Sequence, residues 1–260
     1  MRHRSSILAL LLGMVLATAV SMPVPAQTQT VLGFNNESRT VLALRVGEAG
    51  LQKWVPAPWQ VNPVASGPFK DANVNLVFIN PWLTQDAEGK PTAVPINRRV
   101  AMAIPAKNQQ TGEATTLVAR IYVSDTQALP GPYKNSVGVT TVRFEQTLKG
   151  TGVEPASGSE VWEMRNGGGT IELRLQYQRG VPTRSKPETK PRSAADPTIL
   201  RLYRVDQGID VVRSVPERID RVQAYSLRVT VPELRPLFDG SEQVIGIGLV
   251  PWYLRQVAEP

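Results

Sequence analysis

A short run near the middle of the chain, Tyr133-Lys134-Asn135, sets an amine between a phenol and an amide. Three other side chains in flanking strand-like stretches, Arg99, Arg120 and Tyr122, add two fixed positive charges and a second phenol. A lysine attacks a carbonyl carbon only as the neutral amine, so its pKa must fall from about 10.4 through burial or a cationic neighbour. Arg99, Arg120 and Arg143 are the candidates for that neighbour. An arginine turned into a small closed sheet is costly unless paired, so an inward Arg99 or Arg120 would clamp a carboxylate or phosphate. The expected site is therefore Lys134 as the candidate catalytic amine, with Arg99, Arg120, Tyr122, Tyr133 and Asn135 binding the ligand. The plainer alternatives are a solvated turn lysine and two arginines on a solvent face.

Several chemistries are excluded at once. The chain has no Cys, and its one His is His3. No Ser-His-Asp triad, Cys-His pair or ordinary zinc site can be assembled without a histidine in the body of the chain, and no disulfide can form. No metal and no cofactor is expected. The 29 basic residues against 22 acidic ones give a net charge of +7, scattered along the strands without a basic run. That pattern suits solubility and mild attraction for anions, and it lacks the clustered face that nucleic acid requires. The expected partner is a small molecule.

The elements that must position these residues are mostly strands. The N-terminus reads as an export leader over 1–26: Arg2 and Arg4, then the apolar run Ile7 to Val20, then Val24-Pro25-Ala26 before Gln27. It implies a periplasmic or secreted protein with no membrane insertion once the leader is cut. Residues 27–40 are polar and expected to be flexible, and 41–260 should be one domain. Strand periodicity marks Val41–Val46, Asn73–Asn80, Arg99–Ala106, Leu117–Val123, Val142–Leu148, Thr170–Gln178, Ile199–Val205, Ile209–Val212, Tyr225–Val231 and Val244–Leu254. Asp206-Gln207-Gly208 reads as a turn, Gly150–Ser159 as a loop, and Gly47–Trp54 as one or two helical turns. The Pro-rich, basic segment 180–197 is expected to be a mobile surface loop. The predicted class is mostly β, or β-rich α+β: one antiparallel barrel or closed sheet with a few short helices. Trp59 and Trp82 fall in loops where a pocket could use them, whereas Trp54, Trp162 and Trp252 default to core packing.

Three stretches together resemble the acetoacetate decarboxylase-like family. Leu44–Trp59 is similar to that family's opening strand, short helix and proline-containing loop. Arg99–Ala106 is similar to the strand after its Gly-Pro-Tyr-x-Glu signature. Leu117–Leu129 with Val142–Glu145 is similar to the strand, acidic turn and second strand around the catalytic lysine. The resemblance implies decarboxylation of a β-keto acid through a Schiff base, on a lysine whose pKa an adjacent lysine lowers. This chain departs from that pattern. The positions of the family's Pro-Lys-Lys are Ser136-Val137-Gly138, and no Pro-Lys-Lys occurs anywhere. The signature glutamate falls on Arg99; in a second register, through Gly131-Pro132-Tyr133-Lys134-Asn135, it falls on Asn135. Either way the nucleophile and the carboxylate are missing.

Three functions follow. The first is an exported binding protein for a small, anionic organic ligand on a decarboxylase-like scaffold without its lysine pair. The second is a decarboxylase- or lyase-type enzyme acting on a keto acid through altered residues, with Lys134 or an arginine-clamped carboxylate at its centre. The third is a structural or interaction module with a filled core.

Overall fold

The computed structural model describes residues 29–92, 97–150 and 156–260, so the leader expected over 1–26 lies outside the described residues. The chain forms two sheets. In order the elements are β1 (Thr30–Arg45), α1 (Glu48–Gln52), β2 (Trp59–Val61), β3 (Val74–Gln85), β4 (Arg99–Asn108), β5 (Ala114–Val123), β6 (Ser136–Gly138), β7 (Thr141–Lys149), β8 (Ser157–Asn166), β9 (Gly169–Gln178), β10 (Thr183–Ser185), β11 (Glu188–Thr189), β12 (Arg192–Ser193), β13 (Leu202–Ser214), β14 (Ile219–Asp220), β15 (Val222–Val229) and β16 (Gln243–Glu259). The large sheet runs β10-β13-β16-β1-β3-β4-β5-β12, and the small one β15-β9-β8-β7. Among the described residues no helix is long and apolar enough to cross a membrane.

The main core fills the space between the sheets. Leu42 and Leu44 of β1, Leu76 and Phe78 of β3, and Val100, Met102 and Ile104 of β4 meet Trp162 and Met164 of β8 and Leu173, Leu175 and Tyr177 of β9. Strand alternation then turns the intervening residues of β1, β3 and β4 to the opposite face of the large sheet. That second face is apolar too, and Val77 and Ile79 of β3 lie on it.

A bulge in β5 resets its phase. Met102 of β4 pairs with Arg120 and Ala103 with Val118, so Ala119 is the extra residue. Leu117, Ala119 and Tyr122 face the main core, while Val118, Ile121 and Val123 form a cluster with Tyr133 on the other side. The simple alternation read from the sequence fails here.

The mostly β class holds, and the barrel is not found: the described residues form two sheets, and the large one makes no closed ring of strands. Its path instead begins and ends in one segment. β10 and β11 pair with β13 at one edge, and β12 pairs with β5 at the other. The segment 183–193 straps the two edges together. It is the part expected to be a mobile loop, and side chains hold it. Arg184 donates to both carboxylate oxygens of Asp206 at 2.9 and 2.6 Å. Arg192 reaches Glu113 at 3.0 Å, and the fully buried Ser193 donates to the Tyr133 carbonyl at 2.6 Å.

Three other boundaries differ from expectation. The segment 27–40 is a strand from Thr30 on, paired with β16 and β3, because its polar residues Glu37 and Arg39 satisfy one another within the sheet. Asp206-Gln207-Gly208 is no turn: β13 runs straight through, and Gly208 makes room for the Trp252 ring, which a Cβ there would meet at 2.2 Å. The polar Ser157-Gly158-Ser159, read as loop, opens β8, where Gly158 lies under the Tyr177 ring.

Exposed ion pairs contribute little each, so the buried Ser193 bond should carry most of the strap's hold. Ser193→Ala is expected to speed tryptic cutting at Arg184 about fivefold, the equivalent of about 1 kcal/mol of lost local stability. Equal cutting rates in the two proteins would refute this account.

Candidate functional site

On the second face of the large sheet lies a cavity of about 760 Å³. Strands β3, β4 and β5 form one wall, β1 and β16 the charged end, and strap residues Glu188 to Pro191 the cover. Side chains on this face stand in cross-strand rows. One row reads Arg39, Ile79, Arg99 and Val123, and the next reads Val41, Val77, Ala101 and Ile121.

The charged end holds three guanidinium groups around one carboxylate. Glu37 is fully buried and accepts from Arg39 Nε at 2.8 Å, with Arg39 Nη2 on the same oxygen and Arg255 Nη2 3.9 Å away. The second oxygen, Oε2, has no hydrogen-bond partner. Burial alone would raise the Glu37 carboxyl. Arg39, Arg255 and Arg99 together outweigh it and hold the pKa at about 2, against an ordinary 4.5.

The arginines differ in how well they are satisfied. Arg39 stacks on Tyr253 with its guanidinium carbon 3.4 Å from the ring centroid. Arg255 lies 4.4 Å over Tyr203 and donates to Asn35 at 2.9 Å. Burial works against its charge, but Glu37 prevails and its pKa rises. Arg99 has neither comfort: it makes no hydrogen bond or ion pair among the described residues, and its buried Nε is unpartnered. Its pKa is lowered, first by burial and further by Arg255 and Arg39, with Glu37 pulling the other way. Although protein surrounds it, Arg99 keeps some accessible surface, as a side chain lining a cavity must.

Two phenols complete the polar end. The Tyr133 and Tyr203 hydroxyls hydrogen-bond to each other. Burial, reinforced by Tyr203, pushes the Tyr133 pKa well above 10, so it stays protonated at neutral pH. Two hydroxyl protons share one mutual bond, leaving one donor for something in the cavity.

Of the residues expected in the site, the structure brings together Arg99 and Tyr133. Arg120 and Tyr122 lie on the other side of the sheet because of the Ala119 bulge. Arg120 pairs with Glu233 at 2.7 Å, and the Tyr122 hydroxyl donates to the same carboxylate at 2.6 Å. Asn135 is buried, but its amide donates to the Val118 carbonyl at 2.6 Å, pinning the loop to β5. Lys134 is exposed, in a left-handed conformation with φ of 54°, and does not line the cavity. The phase that buries Tyr133 and Asn135 turns the residue between them outward. Among the described residues no tryptophan lines it either: Trp59 is 5% exposed in the main core, and Trp82 is 60% exposed on the surface.

Sequence reasoning missed Glu37, Arg39, Tyr203, Tyr253 and Arg255. The signal was present in Glu37-x-Arg39 and Tyr253-x-Arg255, two i, i+2 pairs that place both members on one strand face. Among the described residues, Lys190 of the strap is the one lysine lining the cavity, and its amine sits 3.8 Å from Glu188.

No protein-family model matches the sequence, and no curated protein does. Solved structures do match in fold. One is an acetoacetate decarboxylase-like enzyme from Sphingomonas wittichii RW1, at 14% identity over 92% of this chain and 96% of that one, with a TM-score of 0.52. Another is the enduracididine biosynthesis enzyme MppR complexed with pyruvate, at 12% identity over 96% of each chain, with a TM-score of 0.55. The relationship is distant and lies in the fold.

Two outcomes follow from the charge cluster. Glu37→Gln leaves three crowded cations without their carboxylate and should cost about 3–5 kcal/mol. Because the Glu37 pKa is depressed on folding, its contribution is whole above about pH 4.5 and is lost as pH falls toward 2. Denaturation midpoints measured from pH 7 to pH 2 should therefore converge for the two proteins at the acid end; a pH-independent gap would contradict this. Arg99→Met removes a desolvated charge that has two like neighbours, and it should raise stability by roughly 1 kcal/mol. A fall in Tm would show that Arg99 holds the fold together.

Proposed function

We propose that this chain, which has the acetoacetate decarboxylase-like fold, binds a small organic carboxylate in the cavity ended by Arg99 and does not decarboxylate it through a lysine. One observation carries the reading: Arg99 is a desolvated guanidinium with no partner among the described residues, in a cluster of three cations and one acid. A carboxylate on Arg99 would supply the missing negative charge and accept two parallel N–H bonds. The free phenol proton of the Tyr133–Tyr203 pair would serve a second oxygen, such as a keto or hydroxyl group. MppR, which shares the fold, is complexed with pyruvate, a keto acid of this class.

The decarboxylase chemistry of the resemblance needs a neutral amine in the cavity. Ser136-Val137-Gly138 stand where Pro-Lys-Lys is expected, and Lys134 points away. The enzyme reading is favoured by Lys190 alone, an exposed lysine at the mouth beside Glu188. The leader expected over 1–26 supports an exported protein, and a chain without cysteine has no thiol to oxidise there, so the site would meet its ligand in the periplasm or outside the cell.

Calorimetric titration with acetate, pyruvate and acetoacetate should show binding that Arg99→Met abolishes. Acetoacetate should release no carbon dioxide above the uncatalysed rate, and borohydride added with pyruvate should leave the protein mass unchanged. A borohydride-dependent adduct on Lys190, absent in Lys190→Met, would make the enzyme reading the right one. Binding that survives Arg99→Met would sink the carboxylate clamp.

A further inference from the structure

We infer that the carboxylate accepted here carries an unbranched apolar tail, so that the ligand is an amphipathic monocarboxylic acid. This rests on the reading of Arg99 as the carboxylate clamp and deepens it. The cavity is polarised along β4. Arg99, Ala101 and Ala103 project from the same face of that strand, two residues apart. At Arg99 the row is charged. At Ala101 the neighbours are Val77 on β3 and Ile121 on β5, and at Ala103 they are Asn75 and Val118. Past Pro105 the wall turns polar again at Thr116, Thr115 and Glu113.

The Ala101 row is thus all hydrocarbon, and the Ala103 row adds Val118 beside a single amide, Asn75, so a mainly apolar slot lies between the cationic end and the polar mouth. Its depth comes from side-chain size. Ala101 and Ala103 stand opposite larger residues and leave the centre of the wall low. A short acid such as acetate would satisfy Arg99 and leave this apolar wall uncovered. From Arg99 to Ala103 the strand rises about 13 Å, which a zigzag tail of roughly eight to ten carbons would span. At the far end the acids and bases are already paired, Glu113 with Arg192 and Glu188 with Lys190, so among the described residues no unpaired cation awaits a second carboxylate there and a monoacid fits better than a diacid.

The test is a chain-length series: binding of straight-chain acids from acetate to dodecanoate, below their micelle concentrations, with 1-octanol as the uncharged control. Affinity should climb about three- to fourfold per methylene and level off near ten carbons. Octanol should bind at least about tenfold more weakly than octanoate, having no charge for Arg99. Ala103→Leu, which fills the slot two rows from the arginine, should weaken decanoate about tenfold or more and leave butyrate within about twofold. Affinity independent of chain length, with short acids still bound, would overturn the tail and leave the carboxylate reading intact. If no acid of any length binds, both fall. Octanol binding as tightly as octanoate, or decanoate indifferent to Ala103→Leu, would also overturn the inference. The series on the unaltered protein decides the matter even if that variant fails to fold.

Discussion

One buried carboxylate among three guanidinium groups sets the terms for the charged end of the cavity. Glu37 comes from β1, Arg255 from β16 and Arg99 from β4, so the cluster ties three strands of the large sheet at one point. A single acid cannot neutralise three bases. The tyrosine faces under Arg39 and Arg255 and the amide of Asn35 absorb part of the remainder. What is left over falls on Arg99. The molecule carries the cost of a buried, unmatched charge, and that cost is the capacity to hold an anion.

The large sheet can host such a cavity because both its faces are covered. The small sheet covers one face and supplies the aromatic core around Trp162. The strap over 183–193 covers the other, and it does so by pairing with the two outermost strands of the same sheet. A sheet that curls without closing leaves two raw edges, and unpaired edges invite association with other chains. Here one short segment answers both needs, sealing the edges and roofing the cavity.

Much of this was legible in the sequence. The strands β3, β4, β5, β7, β9, β15 and β16 announce themselves through apolar alternation, and the resemblance of Arg99–Ala106 and Leu117–Leu129 led to the right fold. Arg99 and Tyr133 were recoverable as cavity-lining residues because a costly arginine and a loop tyrosine flank those strands. The rest was hidden for physical reasons. In β1, Glu37 and Arg39 look solvent-facing because their mutual neutralisation is invisible until β16 lies alongside. The strap has the composition of a disordered loop, and only its long-range partners Asp206, Glu113 and Tyr133 give it order. Gly208 looks like a turn because a sequence cannot show the indole that needs its missing Cβ. Lys134 was attractive for its neighbours, and backbone phase sends it the other way.

The bulge at Ala119 bears on how such a site could change over time. It is one residue, and it decides which half of β5 looks at the ligand. With Ala119 left out, Val118 and Arg120 would follow one another in plain alternation, each on the face it has now; pairing Ala119 into the ladder, as a slip of one register would do, is what would rotate the strand's phase for everything beyond it. Ile121 and Val123 would turn to the core, and Arg120 and Tyr122 would swing into the cavity. A hydrocarbon wall would become a cationic and phenolic one without a single side-chain replacement. Insertions and deletions are usually counted as damage to a sheet. In this strand the bulge absorbs an extra residue with both faces kept, and a slip of register is what changes ligand chemistry, so lineages descended from a common scaffold could diverge in what they bind by slipping one register instead of accumulating point substitutions.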